Sequence, residues 1–326
     1  MDLLSDVFSR LRLSGDLYFT TDFAGGWGVH IPPEEQTIRF HLVVHGQCWV
    51  TVDGANEPTS LREGEFVLIP HGAGQQLLSA RHAPSLALEK IVSSDNPASD
   101  GVLRHRAMGS GTDCRLVCGF CHFDHHVSHP LFRGLPSMIV LNTQTTGQLP
   151  WLADAIRLTT IEANRSGQGV RAIISRLIEI LFMQAIRAQT HLPAGLGNPF
   201  MRAMVDPQLA PALEAIHEEP DRDWTLTSLA KTARMSRTQF ARRFRDTLDQ
   251  TPIQYLIDWR LSTARQLLRD TDLAIADIAF RSGYRSVPSF TRRFKERFDI
   301  TPAAYRRAGH LSTRSQPTPN ARSQVE

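Results

Sequence analysis

No apolar run in this 326-residue chain approaches the roughly 20 residues that a membrane-spanning helix needs. The first residues, Met1-Asp-Leu-Leu-Ser-Asp, lack the basic and apolar segments of a secretory signal. These absences exclude a helical membrane protein and predict a cytoplasmic one with no membrane partner. Net charge is also small, +3 from 36 Lys/Arg and 33 Asp/Glu. The balance is uneven, however, because residues 231–308 hold 17 Lys/Arg against 8 Asp/Glu. A basic module on an otherwise acidic chain points to a polyanion as that module's partner. The hydrophobic content of 41% is that of an ordinary globular protein, and the length allows two domains with cores of their own.

What the chain does contain is a repeat. Ser236-Arg-Thr-Gln-Phe-Ala-Arg-Arg-Phe aligns with Ser286-Val-Pro-Ser-Phe-Thr-Arg-Arg-Phe. The alignment continues through Asp249 and Asp299, Thr251-Pro252 and Thr301-Pro302, and Tyr255 and Tyr305. Two copies are too few for a solenoid and read as two similar small units. Each copy has the pattern of a short helix, a turn and a capped second helix. In the first, Thr225 or Thr227 caps the short helix, Arg234-Met235 make the turn and Ser236 caps the second helix. In the second, Ile275–Phe280 is the short helix, Gly283 supplies a left-handed turn residue and Ser286 is the cap.

Phe240 and Phe244, like Phe290, Phe294 and Phe298, recur every four residues and so share one face of their helix. The opposite faces carry Arg237, Thr238, Gln239, Ala241, Arg242 and Arg245 in the first copy. In the second they carry Ser286, Val287, Pro288, Ser289, Arg292 and Lys295. A short arginine-bearing helix on a small apolar core is the element that enters a major groove of double-stranded DNA. Between the copies, Ile253–Arg269 reads as one amphipathic helix, roughly 25 Å long at 1.5 Å per residue.

On these motifs, residues 206–308 resemble the DNA-binding domain of the AraC/XylS family of bacterial transcription regulators. The resemblance implies that Thr238 and Arg242, and in the second motif Val287, Pro288 and Arg292, reach base edges of promoter DNA. Where the family usually has glycine after each recognition helix, this chain has Asp249 and Asp299, which can also adopt a left-handed cap. Val287 and Pro288 replace polar base readers, leaving Arg292 and contacts with thymine methyls. The resemblance also implies a homodimer, a transcriptional activator that meets RNA polymerase, and an unknown small effector.

The N-terminal half reads as β. Strands are expected at Leu17–Phe19, Trp27–Ile31, Thr37–Val44, Gln47–Val52, Gly64–Ile69, Gln75–Leu78, Ala87–Val92, Arg115–Phe123 and Ser137–Leu141. Turn signals such as Asp53-Gly54 separate them, which predicts a sandwich or small barrel. Gly64-Glu-Phe-Val-Leu-Ile-Pro70-His-Gly72, with Phe40-His-Leu-Val-Val-His-Gly46, resembles the cupin-type sensor domain fused to many AraC-family regulators. Metal-binding cupins have a histidine where Gln75 stands here, and the chain shows no His-x-His pair in the first motif. No metal, cofactor or enzymatic activity is therefore expected, against the alternative of a cupin metalloenzyme with a helical appendage.

Helices are expected over residues 1–13, Trp151–Ala163 and Gly169–His191. The resulting expectation is a multidomain α+β protein: a cupin-like β-barrel with two following helices, then an all-α domain with two helix-turn-helix motifs. Its boundaries are 1–191 for sensing and dimerisation, 192–205 for a linker, 206–308 for DNA binding and 309–326 for a disordered tail. Four cysteines form no disulfide framework. Cys114, Cys118 and Cys121 precede His122, His125, His126 and His129, and with His41 they make a candidate redox or metal sensor. The opposing reading is that Cys118, beside Gly119, is a small core residue. On a strand, Cys114 and Cys118 share a face and Cys121 points the other way.

Overall fold

The computed structural model describes residues 2–11, 14–34, 37–55, 57–94, 102–122, 129–141, 150–163, 165, 167–188 and 198–314. The chain forms two units, Leu11–Arg202 and a second built from Met1–Arg10 with Ala203–Glu326. In the first unit the strands are β1 (Ser14–Ala24), β2 (Gly28–Ile31), β3 (Thr37–Val52), β4 (Thr59–Arg62), β5 (Phe66–Ile69), β6 (Gln75–Leu78), β7 (Leu86–Ala87), β8 (Val102–Arg106), β9 (Cys114–His122) and β10 (Ile139–Leu141). The order β7-β2-β6-β3-β9-β1-β8 runs through one curled sheet, with β4, β5 and β10 on side branches.

β3 holds this sheet together. Its first half pairs with β5 and β9, and its second half with β4 and β6. Two separate strands are expected here, but the structure makes them one, irregular between Val43 and His45. Gly46 lets the backbone turn there with φ 80°, where a Cβ would lie 2.1 Å from the Asp113 carbonyl oxygen. Inside the curl, Phe23, Trp27, Val50, Val67, Leu103 and Leu116 belong to one apolar core.

The expected strand Ala87–Val92 is mostly helix, α2 (Leu88–Ser94). Leu88, Ile91 and Val92 have i, i+3, i+4 spacing, and all three pack against the barrel core. Strands β4 and β8 lack a strong alternation of their own. β8 exists through parallel pairing with β1, in register from Thr20 and Val102 onward. After the sheet come α3 (Pro130–Arg133), α4 (Pro150–Ala163) and α5 (Val170–Ala188). Ile174, Ile178, Leu181, Phe182, Ala185 and Ile186 are the buried stripe of α5. The helix lies on β1, where Gly15 N–H donates to Glu179 Oε1 (3.3 Å) and Arg171 donates to the Leu17 carbonyl (2.8 Å). Residues 189–197, which include much of the expected linker, lie outside the described residues. Asn198 then caps α6 (Pro199–Val205), accepting from Phe200 N–H at 2.9 Å.

The second unit is helical: α7 (Ala210–Glu218), α8 (Leu226–Thr232), α9 (Arg237–Leu248), α10 (Pro252–Asp270), α11 (Ile275–Arg281), α12 (Val287–Phe298) and α13 (Pro302–Arg314). Helix α13 runs into the expected tail, and residues 315–326 lie outside the described residues. The first helix of the chain, α1 (Leu3–Leu11), belongs with this unit through Arg10. Its Asp6 carboxylate accepts from His217 Nδ1 at 3.0 Å, while His217 Nε2 lies 2.6 Å from the Tyr255 hydroxyl. The same imidazole stacks on Trp259 at 3.6 Å. A helix predicted from apolar spacing alone thus has its polar face used as well.

Candidate nucleic-acid interface

In the first motif, Thr225 and Ser228 cap α8 reciprocally, each side chain taking the other's backbone N–H at 3.0 and 2.9 Å. The turn after α8 places Arg234 at φ 52°, and Met235 N–H closes it on the Ala230 carbonyl. Ser236 caps α9 by accepting from Gln239 N–H. Phe240, Phe244 and Leu248 are buried along one face. Burying an aromatic side chain contributes about 1.5–3 kcal/mol, so these phenylalanines fix how α9 rolls. Asp249 ends the helix in the left-handed conformation.

The second motif repeats this plan with one change. Gly283 takes the left-handed turn position, and Tyr284 N–H bonds to the Ala279 carbonyl as Met235 does to Ala230. Arg285 then intervenes before the cap, whereas Ser236 comes directly after Met235. Its guanidinium pairs with Asp223, Nε at 3.2 Å from Oδ1. Ser286 caps α12 and Asp299 ends it in the left-handed region. Phe290, Phe294 and Phe298 pack edge to face along the helix, with Tyr305 against Phe294. Helix α10 joins the two motifs, and its buried Arg265 stands over the Phe298 ring at 5.3 Å.

The outward faces carry most of the predicted residues. Arg237, Thr238, Gln239, Arg242 and Arg245 are exposed on α9. Ser286, Pro288, Arg292 and Lys295 are exposed at α12, while Val287 and Ser289 are half-buried. Val287 packs partly against its own motif's core, a contact that apolar spacing at the helix start foreshadows. Among the described residues, Arg237, Arg242, Arg245 and Lys295 have no carboxylate partner. Arg292 lies 3.9 Å from Glu296, which also takes Arg293 at 3.2 Å. Arg243 is held by Asp206 at 2.6 Å. Free guanidiniums on a protruding helix are suited to phosphate oxygens and to the acceptor edge of guanine.

The sensor candidates lie in the other unit. Cys114 and Cys118 belong to the barrel core with Cys48, whose thiol pKa the neighbouring Cys114 and then burial raise well above its usual value. Cys121 faces away from that core, with Glu179 of α5 near enough to raise its thiol's pKa. Burial is the larger cause and pushes Cys121 up to about 12; burial likewise pushes Cys118 far up. His41 points inward. It accepts from Gln75 at Nε2 (2.8 Å), which leaves Nδ1–H to donate to Cys118 Sγ (3.0 Å). Burial, then the nearby Arg39 charge, lower the His41 pKa to about 3, so it stays neutral. Gln75 thus hydrogen-bonds the histidine from the position where a metal-binding cupin has a ligand. Among the described residues no three His, Cys, Asp or Glu side chains converge as a metal site. His125 and His126 lie outside the described residues, as does the His122 side chain. Arg39 and Thr21, both buried and lining the same cavity as His41, were not singled out from sequence. A charged residue in phase with the inward His41 and Val43 of β3 is the signal that marks Arg39.

Comparison with known proteins agrees with this architecture. A family described as Cupin matches residues 2–191, and one described as a helix-turn-helix domain matches residues 229–308. The HTH-type transcriptional regulator AlkR of Acinetobacter baylyi is 33% identical over 295 residues, covering 88% of this chain and 92% of that protein. A putative AraC-like transcription regulator of Streptomyces lividans is 28% identical, covering 88% and 91%. Among solved structures, the DNA-binding domain of AdpA in complex with a target DNA is 33% identical, covering 34% of this chain and 99% of that one, with a TM-score of 0.32. These relatives are named as regulators of transcription and not as enzymes. The chain belongs to the AraC family of DNA-binding transcription regulators, with an N-terminal cupin domain and a C-terminal helix-turn-helix domain.

Proposed function

We propose that the two motifs read a specific promoter sequence together, α9 and α12 entering successive major-groove segments. The observation that carries this reading is the pair of buried phenylalanine ladders, each presenting an exposed arginine-bearing face. Arg242 and Arg292, at matching helix positions, contact base edges. Arg237, Arg245 and Lys295 neutralise phosphates, and Thr238, Gln239, Pro288 and Ser289 complete the contact surface. Val287, being half-buried, offers only its outer methyl to a thymine. Helix α10, roughly 28 Å long at 1.5 Å per residue, sets the spacing of the two readers.

The cupin unit receives a small effector, whose unequal affinity for two conformations changes how the motifs meet DNA. The protein acts as a homodimer. Leu158, Ile161, Ile173 and Ile180 are exposed on α4 and α5, supporting that face as the interface. Once on DNA, it activates transcription through RNA polymerase. A thiol sensor has less support, since the buried Cys118 and Cys121 thiols are held protonated.

Binding of full-length protein to the DNA upstream of its own coding region, at two salt concentrations, tests this reading. Sequence-selective affinity that falls with salt is expected. Equal affinity for unrelated DNA would overturn it.

A further inference from the structure

How the two motifs are held relative to each other decides which DNA they can read together; this inference rests on the reading that they do so. Helix α10 serves two cores. Its first half buries Tyr255, Leu256 and Trp259, and Phe244 of the first motif meets Tyr255 edge to face at 5.7 Å. Its second half gives Leu261, Ala264 and Leu268 to the core of the second motif. Among the described residues, that core includes none from α8 or α9. Arg260 stands between Trp259 and Leu261, where the helix passes from one core to the other.

Polar contacts at Arg260 join the motifs directly. Its Nε–H donates to the Pro220 carbonyl (2.6 Å) and one terminal amine donates to the Arg222 carbonyl (2.8 Å). Both carbonyls belong to the loop that enters the first motif at the Thr225 cap. That loop is braced on itself. Trp224 Nε1–H donates to the Glu219 carbonyl (2.8 Å), and the Arg222 guanidinium stands 4.3 Å from the centre of the Trp224 ring. The turn of the second motif presses on the same point, where a Cβ on Gly283 would lie 2.6 Å from Arg260 Nε. Arg285 of that turn also pairs with Asp223 of the loop, but both side chains are exposed and such pairs add little. Apolar burial is non-directional, whereas a guanidinium bound to two carbonyls is held in distance and angle. We propose that Arg260 is a positioning residue for DNA reading, clamping the first motif's entry loop to the second motif's turn so that α9 and α12 accept one spacing of their two DNA segments. One base pair more or less moves those segments by roughly 3.4 Å along the duplex and about 35° around it.

The test uses the full chain and the DNA upstream of its coding region. Footprinting locates the two contacted segments, and fluorescence anisotropy then compares the natural spacing with DNA carrying one inserted base pair between them. The wild-type chain is expected to lose about tenfold in affinity on insertion. Arg260→Gln is expected to bind the natural spacing several-fold more weakly and the inserted DNA no worse than wild type does, so that the insertion penalty drops below about threefold. General destabilisation would instead weaken both DNAs alike and leave the penalty unchanged. Arg260→Lys keeps the charge and reaches one carbonyl only; an intermediate penalty is expected, and it decides the matter if the glutamine variant does not fold. Circular dichroism establishes which variants fold. A wild-type penalty in the folded variants would overturn the proposal. If the wild-type chain selects its DNA yet tolerates the insertion, only the clamp falls. If it selects no sequence, the reading of two cooperating motifs falls and the clamp with it.

Discussion

The two helix-turn-helix motifs share an apolar skeleton and differ in the wiring around it. Both place aromatic residues four apart, cap the recognition helix with serine and end it on a left-handed aspartate. Among the described residues, the first keeps Arg237, Arg242 and Arg245 free of carboxylates and pairs Arg243 with Asp206, whereas the second shares Glu296 between Arg292 and Arg293. The turns differ as well. Arg234 occupies the left-handed position with its side chain in solvent, while a Cβ on Gly283 would lie 2.7 Å from the Pro220 carbonyl oxygen and 2.6 Å from Arg260 Nε. The comparison teaches that packing constrains the repeat, while surface charge and local crowding are free to diverge.

The largest effect expected is on that shared skeleton. Phe244→Ala and Phe294→Ala should each cost about 3–5 kcal/mol, since both side chains are fully buried. Chemical unfolding of the full chain checks this, and a cost confined to one motif would break the equivalence. Asp6→Ala should destabilise the second unit by about 1–3 kcal/mol, leaving the buried His217 without its carboxylate. Unchanged unfolding would show that α1 adds nothing to the motif whose Tyr255 it reaches through His217.

Arg242→Ala should weaken binding to the selected DNA by about 1–3 kcal/mol, and Arg292→Ala by less, because Glu296 already draws on Arg292. Fluorescence anisotropy on matched and scrambled DNA separates the roles. An equal loss on both would make these residues phosphate binders, with a shallower salt dependence. Gly283→Ala should cost about 1–3 kcal/mol from its crowded left-handed backbone, and Arg234→Ala close to nothing. At the helix ends the sign reverses: Asp249→Gly and Asp299→Gly should each stabilise by roughly 0.5–1 kcal/mol at φ 54° and 57°. A loss there would mean that the aspartate side chains do more than tolerate the conformation.

Legibility from sequence tracked the range of the interactions. The helix-turn-helix motifs are built from caps at Ser236 and Ser286, four-residue spacing and short turns, all within one short stretch. The barrel depends on partners far apart in the chain. The run Val102-Leu-Arg-His-Arg106 is a strand because β1 lies beside it, and no local pattern reports that. Leu88–Ser94 misled because its apolar residues fit a short strand as well as a helical turn, and the barrel core chose the helix.

By itself, the sequence determined the two-part plan, the twin helix-turn-helix motifs and the opposite faces of Cys118 and Cys121, because periodicity and capping act between near neighbours. Only the tertiary structure decided that β3 runs unbroken through both halves of the sheet, that α1 joins the C-terminal unit, and that Arg39 and His41 are buried together inside the curl. Those outcomes depend on register and curl, which bring together side chains that the chain itself keeps far apart.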